Sequence, residues 1–197
     1  VIGKDRLPIC GELTPGRVRE ALFAEKLQPA YQTTIDLPNR PPNMCPGCPH
    51  RGVFYALNRL KAFVTGDIGC YTLGFMPPLS AMDTCVCMGA SVGNASGLNK
   101  VLTGPDKQKV VGVIGDSTFL HTGINGLMDM VYNGSTATLI ILDNRITAMT
   151  GRQENPASGF TLSGDPSARV DLEQLCRSVG IRSVRKVNPW NLEETRQ

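Results

Sequence analysis

Only two histidines and one tryptophan occur among the 197 residues, and aromatic residues make up 6% of the chain. So few flat rings leave no stacking platform for single-stranded nucleic acid. No apolar run approaches the roughly 20 residues that a membrane-spanning helix needs, and no basic stretch leads into an apolar core at Val1, so neither a span nor a secretory leader is expected. Charge of one sign is not concentrated anywhere. The 20 Lys and Arg against 17 Asp and Glu give a net charge of +3, spread without a block, which excludes the electrostatic footprint of a nucleic-acid or anionic-membrane binder. Internal repeats and low-complexity segments are also absent. The expectation is a soluble, cytoplasmic chain.

Cysteine is not scarce. Seven is an odd number, Cys45 and Cys48 form a Cys-x-x-Cys pair, and a chain of this length with 41% hydrophobic residues has core enough to do without disulfide staples. Metal or redox chemistry in a reducing compartment is expected instead. The same length and apolar fraction suit one α/β domain with sequence to spare. Asn191 stands as a cap before Leu192, Glu193 and Glu194, a helix start close to Gln197, so the sequence reads as part of a longer polypeptide.

Residues 1–40 contain a helical stretch near Arg17 to Leu27, between Pro15 and Pro29, followed by a polar run with prolines; they read as the end of a preceding domain and a linker. Over residues 41–197 helix and strand signals alternate. Helices are expected at Gly52 to Leu60, Met88 to Val101, Phe119 to Tyr132 and Leu172 to Val179, with strands at Ala62 to Thr65, Val110 to Ile114, Thr138 to Leu142 and Arg182 to Val187. The second of these helices is built largely from small residues (Gly89, Ala90, Ser91, Gly93, Ala95, Ser96, Gly97) of poor helix propensity, so its surroundings must hold it. Strands apolar at every position imply a doubly wound, mostly parallel sheet with helices on both faces, an α/β fold.

The strand at Val110 to Ile114 runs into Gly115-Asp116-Ser117, and the strand at Thr138 to Leu142 runs into Asp143-Asn144. A right-handed crossover brings both sequences to the carboxyl edge of neighbouring strands, where open α/β sheets bind ligands. Gly115 is expected to let the backbone approach a ligand, and the helix beginning near Phe119 to aim free N–H groups at the same place. One carboxylate, one amide oxygen, a backbone carbonyl and two phosphate oxygens make a hard-oxygen shell suited to Mg²⁺, which asks for a diphosphate ligand. The plainer alternative is a capping Asp after one strand and a turn Asn after the next.

Gly115-Asp116-Ser117 followed by Asp143-Asn144 resembles the Gly-Asp-Gly…Asn motif of thiamine-diphosphate enzymes, with Ser117 in place of the last glycine. Cys45-Pro46-Gly47-Cys48-Pro49-His50, Gly66-Asp67-Ile68-Gly69-Cys70, Met88-Gly89-Ala90-Ser91 and Asn144-x-Ile146-Thr147-Ala148-Met149-Thr150-Gly151 occur in the order seen in 2-oxoacid:ferredoxin oxidoreductases. The resemblance covers Arg40 to Gln197 and is strongest to the large α subunits that act on indolepyruvate. It implies that Asp116, Asn144 and the carbonyl of Ile146 hold Mg²⁺, that Ser117 and Thr118 face the diphosphate, and that His50, Asp67, Gly69, Met88, Gly89, Gly115 and Thr147 also contact the cofactor. It implies oxidative decarboxylation of an aryl 2-oxoacid to an acyl-CoA with ferredoxin as electron acceptor. Its further implied partners are a pyrimidine-binding domain of the same or a second subunit, which supplies the activating glutamate, and a smaller β subunit. This chain alone is then expected to be inactive.

By the same resemblance Cys45, Cys48 and Cys70 match ligands of a [4Fe-4S] cluster, whose fourth thiolate this chain does not obviously supply, since Cys176 falls inside a helix as a core thiol. Zinc is a second option for the Cys-x-x-Cys pair, without a partner pair at finger spacing. Cys85 and Cys87 are expected to pack in the core near the cofactor. Two other readings stand beside this one: a non-oxidative thiamine-diphosphate enzyme, such as a 2-oxoacid decarboxylase or acetolactate synthase, which has no use for the cysteines, and a non-catalytic module that binds a nucleotide or partner subunit at its acidic edge.

Overall fold

Val110–Gly115 is buried at all six positions, as a strand covered on both faces must be. The computed structural model describes residues 3–25 and 34–196. They fall into two units, Val1–Pro41 and Pro42–Gln197.

The first unit contains α1 (Pro15–Phe23). Thr14 caps it by accepting from the N–H of Arg17, Pro15 opens it, and Ala24 ends it in the left-handed conformation; none of its residues is buried. The expected helix was longer; Leu27 lies outside the described residues.

The second unit runs α2 (His50–Leu60), β1 (Phe63–Gly66), a 3₁₀ turn at Cys70–Phe75, β2 (Thr84–Cys85), α3 (Ala90–Val101), α4 (Gly104–Lys107) and β3 (Val110–Gly115). It continues with α5 (Asp116–Thr118), a wide π turn at Phe119–Gly123, α6 (Ile124–Tyr132), β4 (Thr138–Leu142), α7 (Leu172–Ser178) and α8 (Leu192–Arg196), capped by Asn191 Oδ1 accepting from the N–H of Glu194 at 3.2 Å. The strands form one sheet in the order β2-β1-β3-β4, every pairing parallel. Alternate residues of β3 face opposite ways. Val111 and Val113 join Phe54 and Leu57 of α2 in one core, and Ile114 joins Val92 of α3, Leu127 and Met130 of α6 and Cys176 of α7 in the other. Helices therefore cover both faces, as the apolar runs imply. Burying side chains of this size is worth about 1.5–3 kcal/mol each, which outweighs the weak propensity of α3. Its small residues allow the close fit: a methyl added at Gly112 would lie 3.3 Å from Ala95 Cβ, and one at Gly126 would lie 2.9 Å from Val92 Cβ.

Three features depart from expectation. The edge strand β2 has only two residues, too few to show a period, and is held by the N–H of Val64 donating to Asp83 Oδ2 at 2.7 Å. Because it lies at the edge, Cys85 and Cys87 are exposed and not in the core. Arg182 to Val187 forms no strand among the described residues: its charged side chains stay in solvent, Val184 packs against the second core, and the Val184 carbonyl accepts from Arg177 Nη2 at 3.3 Å. Finally, the helix expected from Phe119 begins three residues earlier, at Asp116, and contains the π turn.

Candidate cofactor site

Gly115 pairs with Leu142 across β3 and β4, so Asp116 and Asp143 are the next residues out at the carboxyl edge. Asp116 is only 2% exposed. Burial is the main influence on its carboxyl group and raises the pKa above the ordinary carboxylate range, helped by the charge of Asp143. Opposing this are hydrogen bonds from the Ser117 N–H, the Asn155 amide and the Arg145 N–H. The Arg145 contact ties the end of β3 to the residue next to Asn144. Arg145 itself is held at φ +58°, a left-handed conformation uncommon for a long side chain and typical of constrained functional loops. Asn144 is exposed, with Oδ1 accepting from the N–H of Ile146 at 3.2 Å, and Thr147 Oγ1 donates to Ser117 Oγ at 2.7 Å. The turn reading of Asn144 and its place at the shared edge thus hold together, because a carbonyl-type oxygen has a second lone pair.

One cleft is lined by Gly115, Asp116, Ser117, Thr118, Asn144, Ile146 and Thr147 on the side of these strand ends, and by His50, Gly69 and Met88 on the other segments. Asp67 and Gly89 are not in its lining. Asp67 is fully buried behind it, and Gly89, at φ +86°, donates its N–H to Asp67 Oδ1. His50, the first residue of α2, is 7% exposed and not a solvent-facing helix end. Burial lowers its pKa, so the ring is neutral, and it meets the Tyr71 ring edge-on with centroids 6.2 Å apart.

Tyr71 and Asn155 were not singled out from sequence, and both matter to the cleft. Burial raises the Tyr71 pKa well above its usual range, and its hydroxyl donates to the Ile68 carbonyl at 3.2 Å. A methyl added at Gly69 would fall 2.4 Å from Tyr71 Cε1, and one at Gly115 would fall 2.8 Å from the same atom. Gly115 has an ordinary φ of −78°. The glycine before Asp116 makes room for a tyrosine ring and also lines the cleft. No local pattern marks Asn155, because its role comes from a loop folding back onto β3.

The donor set of Asp116, Asn144 and a backbone carbonyl suits a hard cation, and a cation would relieve the burial of the Asp116 charge. The cysteines are different. Cys45 is exposed and Cys48 and Cys70 are half-buried; the Cys70 pKa is raised first by burial and then by Cys45 and Cys48, which places the three thiols near one another. The Cys45–Cys48 turn closes with Gly47 at φ +69°, and Arg51 Nε donates to the Cys45 carbonyl at 3.1 Å. Among the described residues, however, no three His, Cys, Asp or Glu side chains converge to hold a metal ion, and Cys176 belongs to the other core.

Residues 67–197 match the family described as thiamine pyrophosphate enzyme, C-terminal TPP binding domain. The chain belongs to that family. This thiamine pyrophosphate domain is similar to the indolepyruvate oxidoreductase subunit IorA of Pyrococcus horikoshii, 39% identical over 98% of this chain and 33% of that subunit. It is similar also to that of Archaeoglobus fulgidus, 43% identical over 92% of this chain and 29% of that subunit. The chain thus spans about a third of the length of these curated relatives. The solved structure of 2-oxoglutarate:ferredoxin oxidoreductase from Magnetococcus marinus, with 2-oxoglutarate, coenzyme A and succinyl-CoA bound, aligns with 73% of this chain and 53% of that one at a TM-score of 0.57 and 21% identity, a likeness of fold. Among the described residues no helix is long and apolar enough to cross a membrane.

Proposed function

We propose that this thiamine pyrophosphate domain grips the cofactor's diphosphate through a Mg²⁺ ion held by Asp116, Asn144 and the Ile146 carbonyl. The observation that carries the reading is the buried Asp116 carboxylate at the same sheet edge as Asn144, the two strand ends joined by the Arg145 N–H. Ser117 and Thr118 start the helical stretch over the cleft, so the Ser117 hydroxyl and the Thr118 N–H face the diphosphate oxygens. His50, kept neutral, Gly69 and Met88 form the less polar wall. Residues 1–40 are the end of a preceding domain and a linker.

The complete enzyme, on this reading, oxidatively decarboxylates a 2-oxoacid of the indolepyruvate class to an acyl-CoA and passes the electrons to ferredoxin. The 39–43% identity to subunits that carry the indolepyruvate oxidoreductase name supports the substrate class. When bound, thiamine diphosphate supplies the carbanion chemistry that 2-oxoacid decarboxylation needs. A pyrimidine-binding domain, on the same or a second subunit, contributes the activating glutamate, and a smaller β subunit completes the assembly. Cys45, Cys48 and Cys70 supply at most three of the four thiolates of a [4Fe-4S] cluster, so no electron-transfer step is assigned to them.

Calorimetry of the assembled enzyme with thiamine diphosphate and Mg²⁺, comparing the native chain with Asp116→Ala, tests the site. Removing a direct ligand is expected to cost more than the 10–100-fold typical of an outer-shell partner, so an affinity loss of more than about a hundredfold is expected, together with loss of indolepyruvate-dependent ferredoxin reduction. Equal cofactor binding by both would discard the site.

A further inference from the structure

Asp67 follows β1 directly and has no exposed surface. Its carboxylate is shared among three backbone donors. Oδ1 accepts from the N–H groups of Ile68 and Gly89, each at 2.9 Å, and Oδ2 accepts from the N–H of Ser91 at 3.0 Å. The Asp67 carbonyl accepts from Thr72 Oγ1 at 2.7 Å, and Thr72 Oγ1 accepts in turn from the N–H of Gly69 at 3.0 Å.

Ile68 lies in the cleft lining with Gly69 and Cys70, while Gly89 and Ser91 follow directly on Met88, a lining residue of a second segment before α3. The segments are 22 residues apart at the Asp67–Gly89 contact, and Gly89 needs its left-handed φ of +86° to deliver its N–H there. A buried carboxylate facing the first turn of a 12-residue helix is favourable on electrostatic grounds, but a cap alone needs no bond to Ile68. The bond to Ile68 turns a helix cap into a brace.

We infer that Asp67 is a positioning residue that sets the spacing between the Ile68–Gly69 segment and the Met88–Gly89 segment, so that the two close on the cofactor as one unit. It holds backbone and does not touch the ligand. The inference rests on the cofactor site proposed above.

Backbone hydrogen exchange of the assembled enzyme, with and without thiamine diphosphate and Mg²⁺, tests it together with Asp67→Asn. In the native chain, cofactor binding slows exchange at residues 68–70 and 88–91 by a common factor. In Asp67→Asn the two segments respond separately, and the half-saturating cofactor concentration rises about tenfold, with kcat at saturation little changed, as expected when an outer-shell group is lost. A residue that only stabilised α3 would lower the unfolding midpoint and leave that concentration unmoved. Folded Asp67→Asn enzyme with native cofactor affinity overturns the inference, and so do segments that respond independently in the native chain, a result that decides the matter even where the variant does not fold. A native enzyme that binds no thiamine diphosphate would instead overturn the cofactor site itself, and the brace with it.

Discussion

Asn155 Nδ2 lies 3.5 Å from Asp116 Oδ2, while Asn155 Oδ1 accepts from the N–H of Ala157 at 2.8 Å. The second bond orients the amide, so its donor end faces the carboxylate. Asn155 is 8% exposed, and its neighbour Pro156 accepts from the N–H of Val170 at 2.9 Å, which keeps the loop in place. Outer-shell partners of this kind aim a metal ligand without touching the metal. Asn155→Ala is expected to weaken Mg²⁺ affinity at saturating thiamine diphosphate by about tenfold, read by Mn²⁺ paramagnetic resonance of the assembled enzyme. Unchanged affinity would assign Asn155 to loop folding alone.

Gly115 and Tyr71 are fitted to each other. Gly115→Ala places a methyl 2.8 Å from Tyr71 Cε1 in a buried cleft floor, and overpacking of this kind costs about 1–3 kcal/mol. Urea unfolding should show that loss, and Tyr71→Val in the same chain should recover part of it. A double variant no better than the sum of the two single variants would mean that the ring is not the obstacle.

Ser91 presents the opposite case. Its hydroxyl is fully buried with no hydrogen-bond partner among the described residues, while its N–H and carbonyl are both engaged, by Asp67 and Thr65. Removing an unsatisfied buried hydroxyl relieves its desolvation, so Ser91→Ala should be neutral or stabilising by up to about 1 kcal/mol in urea unfolding. A clear loss of stability would reveal a partner for the hydroxyl in the assembled enzyme.

The buried ring of His50 makes stability depend on pH. Burial lowers its pKa below the ordinary 6.5, so as the pH falls the unfolded chain takes up the proton before the folded one does. Unfolding then gains protons, and the His50 contribution to stability declines from about pH 7 towards the lowered folded-state value. Unfolding midpoints of the cofactor-free protein should rise with pH across that interval, and His50→Gln should flatten the slope. An unaltered slope would assign the dependence to other groups.

Much of this architecture is legible in the residues themselves. Val110 to Ile114 carries no polar side chain, as suits a strand covered on both faces, Leu139 to Leu142 is likewise apolar, and the residues that follow the two strands bring Asp116 and Asn144 to one edge. What escaped the sequence depends on contacts between distant segments. β2 is too short to carry a period; Arg182 to Val187 carries a strand-like pattern, yet its charged residues find better company in water than in a sheet. Asp67 looked like a cleft residue because it stands in a Gly-Asp-Ile-Gly motif, but its three N–H partners draw the carboxylate behind the wall. Tyr71 and Asn155 act through one ring edge and one amide, features that no local spacing announces.

The most direct test of the cofactor site is a crystal structure of the assembled enzyme grown with thiamine diphosphate and Mn²⁺, located by its anomalous signal. The ion should lie on the Asp116 carboxylate, the Asn144 amide oxygen and the Ile146 carbonyl at the short inner-sphere distances of a hard cation, about 2.1–2.2 Å, with the diphosphate completing the shell. An ion bound elsewhere, or a diphosphate seated in the cleft with Asn144 turned away from the metal, would contradict it.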